Sequence, residues 1–313
     1  MKVLFITSTR IGDAVLSTSV LNYIIKKYPL SSIFLASGDE PVSIYTNYKN
    51  IKKIFLLKKK VFKAHWFQLL FKTIFIKWDI VIDLRGSIIS HILFTREKYI
   101  YKSLDKNIHR LDELASLMKT KNLPSPSFPI SIDNLSKAKK ELSKLNNIIA
   151  IGGSANWPAK VWPAKKFGEL INILLKDKNF KKNTSIVLFG SSRDIQDTRK
   201  IINYVKTKNV INFCGKLNLL EVCAYLKKCK IFIGNDSGLM HIAAISGILT
   251  IGLFGPSLES RYGPRGKNAH FVRTKKSYYE LTGAKDFNWN TKKNLMSSLS
   301  VQSVYKKICK VLL

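Results

Sequence analysis

The chain has 313 residues, 46% hydrophobic and 11% aromatic, which excludes a disordered or fibrous protein. At ~100–200 residues per domain, that length allows two domains of moderate size. Lys and Arg number 53 against 20 Asp and Glu, a net charge of +33, and only nine of the 53 are Arg. An excess carried by lysine points to a diffusely cationic surface more than to bidentate reading of phosphates or bases.

In chain order, the first strand is expected over 2–7 and passes through a Gly-bearing turn into a helix over 13–28. The apolar run at the start is too short for a signal peptide. Strands follow over 32–37, 53–57, 79–84 and 98–102, with a helix over 62–77. Short runs rich in Val and Ile, separated by helical stretches, predict parallel βαβ units. The Pro- and Ser-rich segment 122–133 ends this rhythm. One more helix after it places the domain boundary near Asn146, giving domains 1–146 and 147–313. The second half repeats the pattern with strands over 147–152, 184–190, 230–235 and 249–255. Helices are expected over 163–178, 193–206, 217–228 and 237–246, and an amphipathic tail helix over 299–313. The uncharged stretch 237–258 is long enough to span a bilayer, but its glycines and Gly255-Pro256 divide it into helix, turn and buried strand. Cys214, Cys223, Cys229 and Cys309 show no CxxC spacing, which argues against a zinc site and a disulfide framework. A soluble, cytoplasmic protein is expected.

Three segments depart from ordinary packing needs. The first is Thr7 to Asp13, a strand-to-helix turn of the kind at which α/β sheets bind ligands, though without GxGxxG spacing. Asp13 falls in the first helical turn, where a carboxylate suits the helix dipole; taken alone, a plain helix start explains it better than chemistry does. The second is Gly152 to Pro163, which puts Lys160 in a Gly-Ser strand-end loop, a candidate phosphate contact. The third is Asn235-Asp236-Ser237-Gly238-Leu239-Met240-His241. Capping accounts for Asp236 and Ser237, yet the same geometry offers backbone amides to an anion. His241 lies one turn further on, a position more often structural than catalytic.

Taken together, these segments resemble the heptosyltransferases of glycosyltransferase family 9. The resemblance rests on Ile11-Gly12-Asp13, the VIDLRG run 81–86, Lys160-Val161-Trp162-Pro163, Gly215-Lys216, the NDSGLMHIAA run 235–244 and LFGPS at 253–257. It implies a GT-B fold, an α/β architecture of two Rossmann-like parallel-sheet domains facing across a cleft. The acceptor is then expected on the first domain, near Thr9, Gly12, Asp13, Arg85 and Gly86. The nucleotide-sugar donor is expected on the second, near Ser154, Asn156, Lys160, Ser192, Lys216, Leu217, Asp236, Ser237, Gly238, Leu239 and His241. By the same resemblance Asp13 is the general base and Lys160 neutralises the leaving diphosphate. The implied reaction is inverting and uses no metal or cofactor, with ADP-heptose as donor and a lipid-linked anionic saccharide of the lipopolysaccharide core as acceptor. One departure is Ser191-Ser192, with Asp194 two positions on, where the family commonly has an acidic residue for the ribose. A monomer is expected, and the cationic surface would suit an anionic acceptor on a membrane, giving peripheral contact with anionic membrane at the cytoplasmic face of the inner membrane. Specific nucleic-acid binding is not implied, because RNA-binding motifs are missing and arginine is scarce. A GT-B enzyme with another donor sugar and a nucleotide-sugar epimerase are the alternatives.

Overall fold

The computed structural model describes residues 1–58, 64–103, 107–180 and 183–312. The chain divides into two units, Met1–Ser131 and Ile132–Leu313, each built on its own parallel sheet.

The first unit runs β1 (Lys2–Ile6), α1 (Ile11–Lys27), β2 (Ser32–Ser37), β3 (Ile51–Leu56), α2 (Ala64–Thr73), β4 (Trp78–Asp83), α3 (Ile89–Ile92), β5 (Thr95–Ile100) and α4 (Arg110–Leu117). Its strand order is β3-β2-β1-β4-β5. Central strand β1 is solvent-free from Val3 to Ile6, as expected of a strand covered on both faces. Asp13 in the first turn of α1 and Lys26 and Lys27 in the last complement the helix dipole. On one face of the sheet a single core joins Leu4 and Ile6 to Leu69 of α2, Ile89 of α3 and Leu93. The start of the helix expected over 62–77 lies outside the described residues, and the rest ends early, at Thr73.

The second unit runs α5 (Ile132–Glu141), β6 (Asn146–Gly152), α6 (Ala164–Leu174), β7 (Thr184–Leu188), α7 (Ile195–Ile202), β8 (Val210–Asn212), α8 (Leu219–Leu226), β9 (Ile231–Asn235), α9 (Gly238–Ser246), β10 (Leu249–Phe254), α10 (Glu259–Tyr262), β11 (Ala269–Arg273), α11 (Tyr278–Thr282) and α12 (Val301–Leu312). The strand order is β11-β10-β9-β6-β7-β8. Edge strands β8 and β11 and the short helices α3, α10 and α11 carry no sequence pattern strong enough to be expected.

The units part before α5, earlier than the expected Asn146. Ala138 of α5 is buried in the second unit, and Lys137 pairs with Glu221 of α8 at 2.7 Å. The proline-rich segment instead belongs to the first unit: Tyr48 Oη donates to Ser127 O at 2.6 Å and Asn47 to Pro129 O at 3.2 Å. The tail helix α12 buries Val304 and Ile308 in the second unit's core. Tyr305 Oη donates to Asp177 at 2.5 Å, tying α12 to the end of α6. The uncharged stretch divides as expected into α9, a left-handed Gly247 (φ 87°) and β10. Among the described residues no helix is long and apolar enough to cross a membrane.

Candidate functional site

In an open parallel sheet, ligands bind at the carboxyl ends of the strands where the strand order reverses direction. In the second unit that point lies between β6 and β9. Gly152 and Gly234 are register partners there, and a Cβ on either would strike the Phe232 ring, so both strands keep glycine. Beyond β6 the chain makes one 3-10 turn, Pro158–Lys160, and Lys160 Nζ meets Asp236 Oδ2 at 3.0 Å. Both side chains are largely buried, 15% and 9% exposed. The loop is braced from both sides. Asn235 accepts from Trp162 N (2.9 Å) and donates to Gly153 O (2.9 Å). From further along the chain, Leu295 N donates to Ala159 O, Asn294 Nδ2 to Val161 O, and the Trp157 indole to Thr291 O.

After Asp236, Ser237 caps α9 in extended backbone without using its side chain. Its Oγ is buried and has no hydrogen-bond partner among the described residues. The first amides of α9 thus stand beside a lysine and an unsatisfied hydroxyl, a combination suited to a diphosphate. Ser154 and His241 are buried nearby in sequence and Gly238 and Leu239 half-buried, whereas Asn156 is exposed.

A second corner forms where the chain leaves β7 and β8. Gly215 N donates to Gly190 O at 2.9 Å, and Gly215 adopts φ +74° with room for no Cβ, since Ser192 Cα would lie 2.9 Å away. This brings Ser192 against the turn that carries exposed Lys216 and half-buried Leu217. Asp194, two positions on, belongs to a capping box: its Oδ2 accepts from Ser191 N (2.7 Å) and Ser191 Oγ (2.8 Å).

In the first unit the reversal falls between β1 and β4. A cavity of about 200 Å³ opens there, and Ser8, Asp13, Arg85, Tyr101 and Arg110 line it. Asp13 is half-buried, and its carboxylate has no hydrogen bond or ion pair among the described residues. Arg85 is aimed by Asp83, which accepts from Arg85 N (2.8 Å), Ser87 N (2.6 Å) and the hydroxyls of Ser87 and Ser90. The Arg85 guanidinium stacks over Trp66 at 4.9 Å and keeps Nη1 buried without a partner. Burial draws its pKa below the ordinary arginine value, and the Asp83 charge opposes this. Arg110 lies over the Tyr101 ring at 4.1 Å and pairs with Glu113, which also accepts from Tyr101 Oη.

The geometry gathers the expected residues into groups by unit. Asp13 and Arg85 share a cavity, whereas Thr9 and Gly12 are not in its lining. Thr9 packs against Gly38, and Gly86 serves a left-handed turn (φ +63°) under the Tyr101 carbonyl. Lys160, Asp236 and Ser237 form one cluster; Ser192, Lys216 and Leu217 form the other corner. Arg110 and Tyr101 were not anticipated. Arg110 follows a His109 helix cap, a local signal that says nothing of the cavity it reaches. Among the described residues no group of three or more His, Cys, Asp or Glu is placed to hold a metal.

Two parallel-sheet units, each with a polar site at its strand-order reversal, define a two-domain Rossmann-like protein of the GT-B class. Residues 92–287 match the family model "Glycosyltransferase family 9 (heptosyltransferase)", and the chain belongs to that family as a glycosyltransferase. Lipooligosaccharide heptosyltransferase 2 of Campylobacter jejuni serotype O:6 is 28% identical over 87% of both chains. Among solved structures, a family 9 glycosyltransferase from Veillonella parvula superposes with a TM-score of 0.81 at 21% identity, covering 99% of this chain and 97% of its own. The E. coli ADP-heptose lps heptosyltransferase II does so with 0.76 at 20% identity, covering 100% and 98%.

Proposed function

We propose that the protein is an inverting, metal-independent heptosyltransferase that moves heptose from ADP-heptose to an acceptor of the lipopolysaccharide core. The observation that carries the donor half is the Lys160–Asp236 pair at 3.0 Å beside the open N-terminus of α9 and the unsatisfied Ser237 hydroxyl. Heptosyl transfer to this class of acceptor is supported by the heptosyltransferase relatives and by family membership.

In this reading Lys160 and the amides of Ser237 and Gly238 hold the diphosphate and absorb charge as it leaves. Asp236 then accepts hydrogen bonds from sugar hydroxyls, and Lys216 and Leu217 flank the base. On the first unit Arg85 offers an unused N–H to an acidic group of the acceptor, and Asp13 takes the proton of its attacking hydroxyl. That hydroxyl oxygen forms a bond to the anomeric carbon as the bond from that carbon to the β-phosphate oxygen breaks. ADP departs with the electron pair, and the anomeric configuration inverts. A carboxylate suffices as base because proton transfer is concerted with loss of a good leaving group.

The test is incubation with ADP-heptose and a heptose-deficient core acceptor, in buffer with excess EDTA. Release of ADP with a one-heptose mass gain and inverted linkage is expected, at a rate the chelator leaves unchanged. Conversion of the donor without acceptor would mark an epimerase instead.

A further inference from the structure

Helix α2 shows an inverted arrangement of residues. His65, Leu69 and Thr73, spaced by four, are its buried stripe. Positions two further on lie ~200° around a helix of 3.6 residues per turn, directly outward. Those positions are Phe67 (62% exposed) and Phe71 (75%), and the next in the series, Phe75, is 92% exposed just past the helix. Polar residues belong on such a face. Ile88, Ile92 and Phe94 are also exposed, on and around α3. Both helices pack on the same side of the sheet through one core, so these side chains share its outer layer. Phe94 O accepts from Trp78 N, which brings Phe94 close to the chain just after Phe75. Exposed Lys72, Lys77, Arg96 and Lys98 are interspersed with them, against exposed Glu97 and the Asp79 carboxylate 3.9 Å from Arg96, which leaves the basic side in excess in a chain of net charge +33. This layer also reaches the candidate acceptor cavity: Trp66 of α2 underlies the Arg85 guanidinium, and Ile88 follows three residues after Arg85.

We infer that the outer α2–α3 layer docks on an anionic lipid bilayer, with the phenylalanines inserted at the headgroup level and the lysines against lipid phosphates. Aromatic side chains ringed by basic ones are the signature of interfacial binding. Attraction to an anionic leaflet adds to the apolar term and falls with salt. The docking does not depend on the sugar chosen in the proposed function.

The experiment is flotation of the full chain with vesicles of phosphatidylcholine alone or with 30–40% phosphatidylglycerol (roughly the charge density of an anionic leaflet). The parent should float with the anionic vesicles at low salt and at least tenfold less with neutral ones. The triple substitution Phe67→Ser, Phe71→Ser, Phe75→Ser should reduce anionic binding at least tenfold, with activity on a water-soluble acceptor fragment unchanged. Phe75→Trp provides a second reading, since the fluorescence of the introduced indole should be quenched by brominated lipid. Equal flotation of parent and triple variant, or no quenching in the Phe75→Trp variant, overturns the inference. So does a triple variant that changes only from dimer to monomer in light scattering, which would assign the face to a second copy of this chain.

Discussion

Replacing Lys160 by Met tests the donor site most directly. Asp236 would keep its buried carboxylate and lose its only charged partner among the described residues. Breaking a buried pair by removing one member costs ~3–5 kcal/mol. With 15% of the lysine side chain still exposed, the lower end, about 3 kcal/mol, applies. For a unit of this size each kcal/mol lowers the melting temperature by ~2–4 °C, so the second unit should melt about 6–12 °C earlier. Binding of a nucleoside diphosphate is a separate quantity. A charge-assisted hydrogen bond contributes ~1.5–3 kcal/mol, so ADP affinity measured by calorimetry should fall about 10- to 100-fold. Asp236→Asn should also lower the melting temperature, yet leave ADP affinity equal or higher, because it removes the carboxylate that competes for the ammonium. If Lys160→Met melts early but binds ADP within threefold of the parent, the lysine is only the counter-ion of Asp236 and the reasoning fails.

Asp13→Asn should lower turnover by ~10²–10⁴, the usual contribution of a general base, with ADP affinity retained; joint loss of binding and turnover in calorimetry and ADP-release assays would make Asp13 structural. Gly215→Ala forces a Cβ into left-handed backbone at ~1–2 kcal/mol and against Ser192, so ADP binding should weaken several-fold; unchanged binding would remove this corner from the nucleotide site. The Tyr305 hydroxyl, with the Asn179 amide, holds the Asp177 pKa below its ordinary value. Its stabilisation is complete above the unfolded aspartate pKa of ~3.9 and is lost as pH falls through the lower folded value. Urea midpoints of parent and Tyr305→Phe should therefore differ at pH 6 and converge as pH drops well below about 4.

The strands easiest to read in the sequence are those the sheets enclose. β1, β4, β6, β9 and β10 are near-continuous apolar runs because helices cover both their faces. β8 and β11 sit on sheet edges, and their residues are mostly half-buried, so no such run marks them. The division before α5 was hidden for a related reason: a mostly polar helix can pack either way, and its choice rests on contacts such as Lys137–Glu221. At the sites, Asp13, Arg85, Lys160 and Asp236 were legible because they follow strand ends in glycine-bearing turns. Arg110 was not, because it enters the cavity from α4, the third element after β4 in sequence. The capping role of Asp194 was legible in its Ser-x-x-Asp spacing.

The bracing of the Lys160 loop reaches far along the chain. Thr291 O receives the Trp157 indole and Leu299 O the Trp162 indole, while Asn294 Nδ2 and Leu295 N donate to the Val161 and Ala159 carbonyls. Substitutions over 291–299 would thus disturb the Lys160 loop without neighbouring it in sequence, and a search confined to the residues flanking that lysine would miss them.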